Sequence, residues 1–246
     1  MNSIGMGIST FVLVFGGALL GASIGTRLPR NHLDADTKDV VRLAMAMVGT
    51  MAAIALGLLT SSAYSYFNSQ TNDLVHASAD VVDLGHLLQR YGPEANEARE
   101  SFRIAVEKAL LELSSHQNPT EESKPYEALY HQFEGLTPKD DAQRMMKSEA
   151  LSLLKNVSHI RLVMIEQIST TVLKPLLFVL IFWLTGIFVS WGLFSPRNAT
   201  VVITFFVAAL FVSSAIMLIL ELYSPYSGLL RLSNAPLRLA YESLGQ

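Results

Sequence analysis

The sequence contains no cysteine, which excludes disulfides, thiolate metal sites and thiol chemistry. That absence assigns no compartment, because a cysteine-free domain is at home on either side of a membrane. Charge is scarce too: Asp, Glu, Lys and Arg make up 16% of the 246 residues against 50% hydrophobic ones, with a mean hydropathy of +0.35. Such a chain is too oily for an ordinary soluble protein. No basic patch and no strip of interleaved basic and aromatic residues appears. With a net charge of −3, nucleic acid is excluded as a partner. Also missing are a glycine-rich phosphate loop, a paired His–Glu metalloprotease helix and a nucleophile elbow; "DLGHL" and "EGLTP" are helix or turn punctuation. No catalytic residue is assigned, the chain is not read as an enzyme, and no cofactor or metal is implied.

What is present is arranged around four runs without a single Asp, Glu, Lys or Arg: Met1 to Thr26, Leu43 to Asn72, Pro175 to Pro196 and Asn198 to Leu220. A hydrocarbon core of roughly 30 Å is spanned by about 20 helical residues, so each run is long enough to cross. The first run lacks the basic start of a cleaved signal peptide, with no Lys or Arg before Arg27, and stays apolar for too long. It is read as a retained span. The fold class is therefore all-α: a four-pass integral membrane protein with a helical extramembrane module between spans two and three. The organisation is residues 1–70 for the first two spans and their short charged connection, 71–171 for the module, 172–223 for the last two spans, and 224–246 for an amphipathic tail.

The module reads as helical throughout. Leu74, Ala77, Val81, Leu84, Leu88 and Tyr91 recur at three and four, a heptad seam ended by Gly92 and Pro93. A second helix is predicted from Pro93 to about His116 with Phe102, Val106, Ala109 and Leu113 on one face, and a third over Lys124 to Glu134. The fourth starts at "TPKD", with Thr137 as cap, Pro138 in the first turn and Asp140 facing the positive dipole end. Met146, Ala150, Leu153, Val157, Ile160 and Met164 continue the rhythm until Gln167 takes the next seam position. No turn signal follows before Lys174 and Pro175, so a stalk of roughly 50 Å is expected to run into the third span. Two arrangements of these heptads remain open, a monomeric bundle and an intermolecular coiled coil.

Glycine weakens a helix by about 1 kcal/mol relative to alanine, so Gly17, Gly21 and Gly25, four apart in the first span, need a reason. Helices in lipid associate through close van der Waals contact, which small residues permit. Gly49, Ala53 and Gly57 repeat the device in the second span. Sequence-adjacent helices pack together as a rule, so the expectation is that the first two spans contact each other; an intersubunit contact is the alternative. A second stripe holds Thr50, Gly57, Thr60 and Ser61 and either lines a water-filled path or has its hydroxyls satisfied by the helix's own backbone.

Transporters that couple ions bury an ionisable residue in the bilayer, and none lies inside the four runs. Lys174 and Glu221, at the start of the third span and the end of the fourth, are expected to pair at one membrane face. His76, Asp80 and Asp83 share a helical face with His86 beside it; the spacing matches no established metal motif, and a solvated face looks the same. Lys and Arg near the span ends give no orientation: Arg27, Arg30, Lys38, Arg42 and Arg197 on one face balance Lys155, Arg161, Lys174, Arg231 and Arg238 on the other. After the fourth span Pro225 and Gly228 break the helix, and Leu237, Ala240, Tyr241 and Leu244 line one side of a short amphipathic segment, suited to the bilayer surface or to the stalk.

Taken in order, the glycine-rich first span leading into "RLPRNHLDADTKDVV", the small-residue "GTMAAIALGLL", the corner "LLQRYGPEANEAR" and the tail "LELYSPYSGLLRLSNAPL" resemble the bacterial membrane proteins with a bestrophin-like domain. The resemblance covers nearly the whole chain. It implies an all-helical homo-oligomer, a pentamer by analogy, in the bacterial inner membrane with the central module in the cytoplasm. It further implies an anion channel whose second span lines the pore, through Thr50, Ile54, Gly57, Leu58, Thr60 and Ser61. One departure is plain: where bestrophins narrow the pore with aromatics, this span carries Met47, Met51, Ile54 and Leu58 and no aromatic before Tyr64. A ring of such apolar side chains can gate by dewetting. The competing expectation is a non-conducting scaffold or sensor that recruits a partner through its helical module.

Overall fold

The computed structural model describes residues 3–29, 34–115, 124–169, 174–196, 198–226 and 228–245, with residues 124, 125, 168, 169 and 174 described as backbone alone. Its elements are α1 (Ser3–Gly25), α2 (Ala35–Tyr91), a single 3-10 turn (Pro93–Ala95), α3 (Asn96–Ser114), α4 (Lys124–Glu134), α5 (Asp141–Ser169), α6 (Lys174–Leu193), α7 (Ala199–Leu222) and α8 (Ala235–Ser243). No strand occurs among the described residues. Four of these helices are long and apolar enough to cross a membrane: α1, α2, α6 and α7.

The chain divides into two compact units, residues 1–66 with 171–223, and residues 67–170 with 224–246. The tail therefore groups with the module. The expected stalk from the fourth module helix into the third span falls on residues 170–173, which lie outside the described residues. Continuity appears elsewhere: α2 is one helix of 57 residues that joins the second span to the first module helix. The sequence drops from apolar to polar near Ser65, and a change of polarity is not a stop signal. No glycine or proline stands between Leu58 and Gly85, so nothing ends the helix before Tyr91. Asp34 caps its start by accepting the Thr37 N–H at 3.1 Å.

In the membrane unit Gly17, Gly21 and Gly25 of α1 face α6, not α2 as sequence adjacency suggested. A Cβ at Gly17 would lie 3.1 Å from both Thr185 Cγ2 and Val189 Cγ2; one at Gly21 would collide with the Val189 carbonyl, and one at Gly25 with that of Leu193. Gly192 returns the contact, since a Cβ there would strike the Ala18 carbonyl. The two helices thus touch closely over about two turns, and Gly192 is the partner that the first-span pattern alone did not reveal. Around this seam Val14 and Ala18 pack with Phe188 and Ala209, while Phe11 and Phe15 meet Phe206 edge-on at 5.3 and 5.5 Å. The helix α2 joins through a different set, with Ala52, Leu59 and Ala63 against Leu180 and Ile219. Near its end Tyr66 stacks on Tyr223 at 5.3 Å, and the Tyr223 hydroxyl donates to Ser62 Oγ at 2.9 Å.

In the module the heptad seams of α2, α3 and α5 meet one another within a single chain. Leu84, Leu88, Phe102, Phe133, Ala150 and Leu154 are almost fully buried in one core. The break in the seam at Gln167 has a partner: Gln70, fully buried, donates to Gln167 Oε1 at 2.7 Å and accepts the Tyr226 hydroxyl at 2.6 Å. A polar triad thus closes one end of an apolar core. At the corner after α2, Gly92 takes φ +109°, a conformation that glycine adopts without strain. Asp140 rather than Thr137 caps α5, accepting the Gln143 N–H at 2.7 Å while Gln143 accepts the Lys139 N–H at 2.7 Å. That reciprocal box places Pro138 before the helix instead of in its first turn. The Lys139 ammonium pairs with Glu94 across the corner, holding the Glu94 carboxyl below its ordinary range chiefly by direct hydrogen bonding.

Two expectations follow. Gly21→Ala forces α1 from α6 and destabilises by about 1–3 kcal/mol, the usual cost of overpacking. Gly16→Ala, whose Cβ meets nothing within 4 Å, leaves the thermal midpoint in detergent unchanged or raised. Gln70→Leu removes both hydrogen bonds of this buried amide, to Gln167 Oε1 and from the Tyr226 hydroxyl, and costs about 2 kcal/mol, read as a lower midpoint of module unfolding.

Candidate functional site

The surface that stands out in the membrane unit is the face of α2 opposite Ala52, Leu59 and Ala63. Val40, Leu43, Met47, Met51, Ile54 and Leu58 follow one another at three and four, the spacing of a single helical face, and all are exposed in the protomer. Ile54 and Leu58 are 61% and 66% exposed. Thr50, Gly57 and Ser61 lie on the same face and Thr60 at its edge, all exposed. Ser65 extends the face by one turn, a continuation the sequence reading stopped short of. A side chain added at Gly57 would meet nothing within 4 Å, and Gly49 only grazes Ile187 at 4.0 Å. These glycines of α2 make no close helix contact within the protomer. Beside the face, Ala53, Gly57 and Thr60 form a shallow apolar groove with Leu218 and Leu222 of α7.

The chemistry of this face differs from that of the exposed apolar surface of α6 and α7. On α6 and α7 the exposed residues include large aromatics, Phe178, Phe182 and Phe211 at 64%, 75% and 67%, suited to lipid chains. From Leu43 to Ala63, α2 carries no aromatic and no charge. Its hydroxyls are turned inward: Thr50 donates to the Ala46 carbonyl at 3.0 Å and Thr60 to that of Leu56 at 2.8 Å. Bonding back to the helix satisfies each donor while leaving the oxygen lone pairs and the methyl groups on the surface. The face is smooth, uncharged and faintly polar.

Residues 12–237 match the bestrophin-like domain. The chain belongs to the bestrophin-like family. Its fold is similar to the crystal structure of a mutant bacterial bestrophin homologue from Klebsiella pneumoniae, with a TM-score of 0.65 and 16% identity over 97% of this chain and 99% of that one. No curated protein matches. Both findings agree with the all-helical architecture and the four apolar helices that the sequence led us to expect.

The remaining sequence-predicted residues of this bestrophin-like chain are placed as follows. Glu221 is buried at the end of α7, but the Lys174 side chain lies outside the described residues, and their pairing with it. His76, Asp80 and Asp83 are not gathered into a metal site. Asp80 instead accepts the Asn156 side-chain amide at 2.5 Å, and among the described residues no group of three His, Asp or Glu could hold an ion. Past Leu222 the chain turns at Pro225, whose carbonyl accepts the Leu232 N–H at 3.0 Å, and Gly228, whose N–H reaches the Ser224 carbonyl at 3.0 Å. The amphipathic tail helix α8 docks on the module rather than lying free. Leu237, Ala240 and Leu244 are buried, Leu244 fills the space that a side chain at Gly85 would need, and Tyr241 accepts from Arg103 at 2.9 Å.

Proposed function

We propose that several copies of this chain, five by likeness to bestrophins, assemble around an axis lined by α2 and form a channel for small anions. The observation that carries the reading is the uncharged α2 face of Thr50, Ile54, Gly57, Leu58 and Ser61, exposed in the protomer and free of aromatics before Tyr64, while Phe178, Phe182 and Phe211 stand exposed on α6 and α7. Family membership and the bestrophin-type fold support it. Met47, Met51, Ile54 and Leu58 form the narrow zone, which opens by wetting. The channel sits in the bacterial inner membrane, with the module and tail in the cytoplasm. A tag on Gln246 is accordingly shielded from an impermeant reagent in intact cells.

Two measurements test the reading. The full chain reconstituted in liposomes passes halide above empty vesicles. Gly57→Leu lowers that flux at least tenfold with an unchanged thermal midpoint, because its side chain enters open space in the protomer but crowds the axis. Gly186→Leu, at an equally open glycine of α6, leaves the flux alone. No wild-type flux across a range of pH and voltage sinks conduction and leaves the scaffold reading. Second, the cysteine-free sequence gives a clean background in which Leu58→Cys cross-links subunits in oxidised membranes. Phe182→Cys, on the lipid-suited surface, gives monomers; equal yields from the two positions overturn the placement of α2 at the axis.

A further inference from the structure

We infer that the turn after the fourth span is the module's own contact with lipid, with Leu229 and Leu230 seated in the head-group layer of the bilayer against the ends of the acyl chains. Both leucines are exposed, at 69% and 42%, although the segment around them is packed. Tyr226 and Leu232 on either side belong to the buried core of the module. The turn is closed from within: the Leu232 N–H donates to the Pro225 carbonyl at 3.0 Å and the Gly228 N–H to that of Ser224 at 3.0 Å. Arg231 adds a third tie, its Nε donating to the Gly228 carbonyl at 3.0 Å. A turn held in this way keeps the two leucines outward instead of letting them fold into the core.

Position selects the occupant. From Leu43, about 20 helical residues carry α2 through roughly 30 Å of hydrocarbon. Tyr64 and Tyr66 follow at once, the residue type that marks a membrane interface. On the fourth span Tyr223 comes directly after α7 and stacks on Tyr66. The turn begins at the next residue. Its level is set by Tyr226, whose hydroxyl donates to Gln70 at 2.6 Å, and Gln70 stands one helical turn, about 6 Å, past Tyr66 along α2. The polar layer on each side of the hydrocarbon is about 5–7 Å thick, so Tyr226 is held among lipid head groups. Leu229 follows three residues later, at most about 10 Å away. An exposed leucine at that depth gains by reaching acyl chains. Two leucines are too little for a standard protein interface, which takes about 800 Å² from each partner.

The cysteine-free sequence admits single nitroxide labels. The full chain in phosphatidylcholine nanodiscs carries one at Leu229→Cys, at Leu230→Cys or, for comparison, at Met145→Cys. Met145 is apolar and 74% exposed as well. It lies at the far end of the module, where Gln143 donates to the Tyr91 carbonyl at 2.9 Å, about 37 Å along α2 from Tyr66. Collision of the label with oxygen, which concentrates in lipid, is read against collision with a water-soluble nickel chelate. The oxygen-to-nickel ratio at positions 229 and 230 is expected to exceed that at 145 at least threefold. It holds in high salt, because leucine rather than charge makes the contact. Equal ratios place the turn in water and overturn the proposal. So does a label shielded from both reagents and broadened by a second label in the same particle, since another copy of the chain then covers the turn. Helix content and particle size are checked for each variant, and should one leucine position fail to fold, the other decides. No reading depends on conduction, so this proposal and the halide flux stand or fall separately.

Discussion

The contact on which the membrane unit depends is the backbone-to-backbone approach of α1 and α6. Lipid chains are as apolar as leucine, so two helices in a bilayer gain nothing from burying leucines against each other. What remains is dispersion between closely fitted surfaces and the short Cα–H to carbonyl contacts that appear when two backbones touch. Gly21 and Gly25 open the way for the Val189 and Leu193 carbonyls, and Gly192 does the same for that of Ala18. Because the accommodation is reciprocal, sliding one helix past the other by a single residue would place a side chain against a carbonyl. The seam therefore fixes register as well as proximity.

That choice of partner decides what α2 has left to show. With α1 packed on α6 and α7, α2 is held in this unit along Ala52, Leu59 and Ala63, with Ala55 and Leu56 beside them and Ser62 and Tyr66 on Tyr223. Among the described residues its opposite face stays exposed, and on that face lie the residues that a channel axis would need. Had the first two spans packed on each other, as their shared small-residue stripes suggest, Gly57 and Thr50 would have been consumed inside the protomer.

Much of this architecture can be read from the residues, and the failures have physical causes. Apolar runs and heptad spacing locate the spans and module helices, and α4 falls at Lys124–Glu134 as its pattern indicates, because burial in lipid or in a core imposes periodicity directly. The α1–α6 pairing was not legible. A small-residue stripe announces that something comes close without saying what, and its complement Gly192 is one of two glycines in a span rich in Phe and Leu. Likewise Gln167 is visible as a flaw in the seam, yet only the fold brings Gln70 and Tyr226 to it. Heptads of similar apolar residues can pair in several registers, and a buried polar triad satisfies its bonds in one. Gln167 thus supplies a specificity that more leucine would not. The α2 face was legible as a stripe, whereas its being unpartnered was not, since exposure is a property of the packed unit.

The inward-turned hydroxyls set a condition on the anion passage we propose. With Thr50 and Thr60 donating to Ala46 and Leu56, the face presents oxygen lone pairs and methyl groups, and lone pairs repel a halide. A hydroxyl that turns to greet the ion surrenders a hydrogen bond worth about 1 kcal/mol net, a small penalty beside the desolvation of a charge in an apolar constriction. Turning is therefore affordable only while an ion is present, and the resting face stays indifferent to it. In the proposed channel such a surface would bind a passing anion weakly, which conduction requires, and would leave Ile54 and Leu58 to decide whether water is there to carry it.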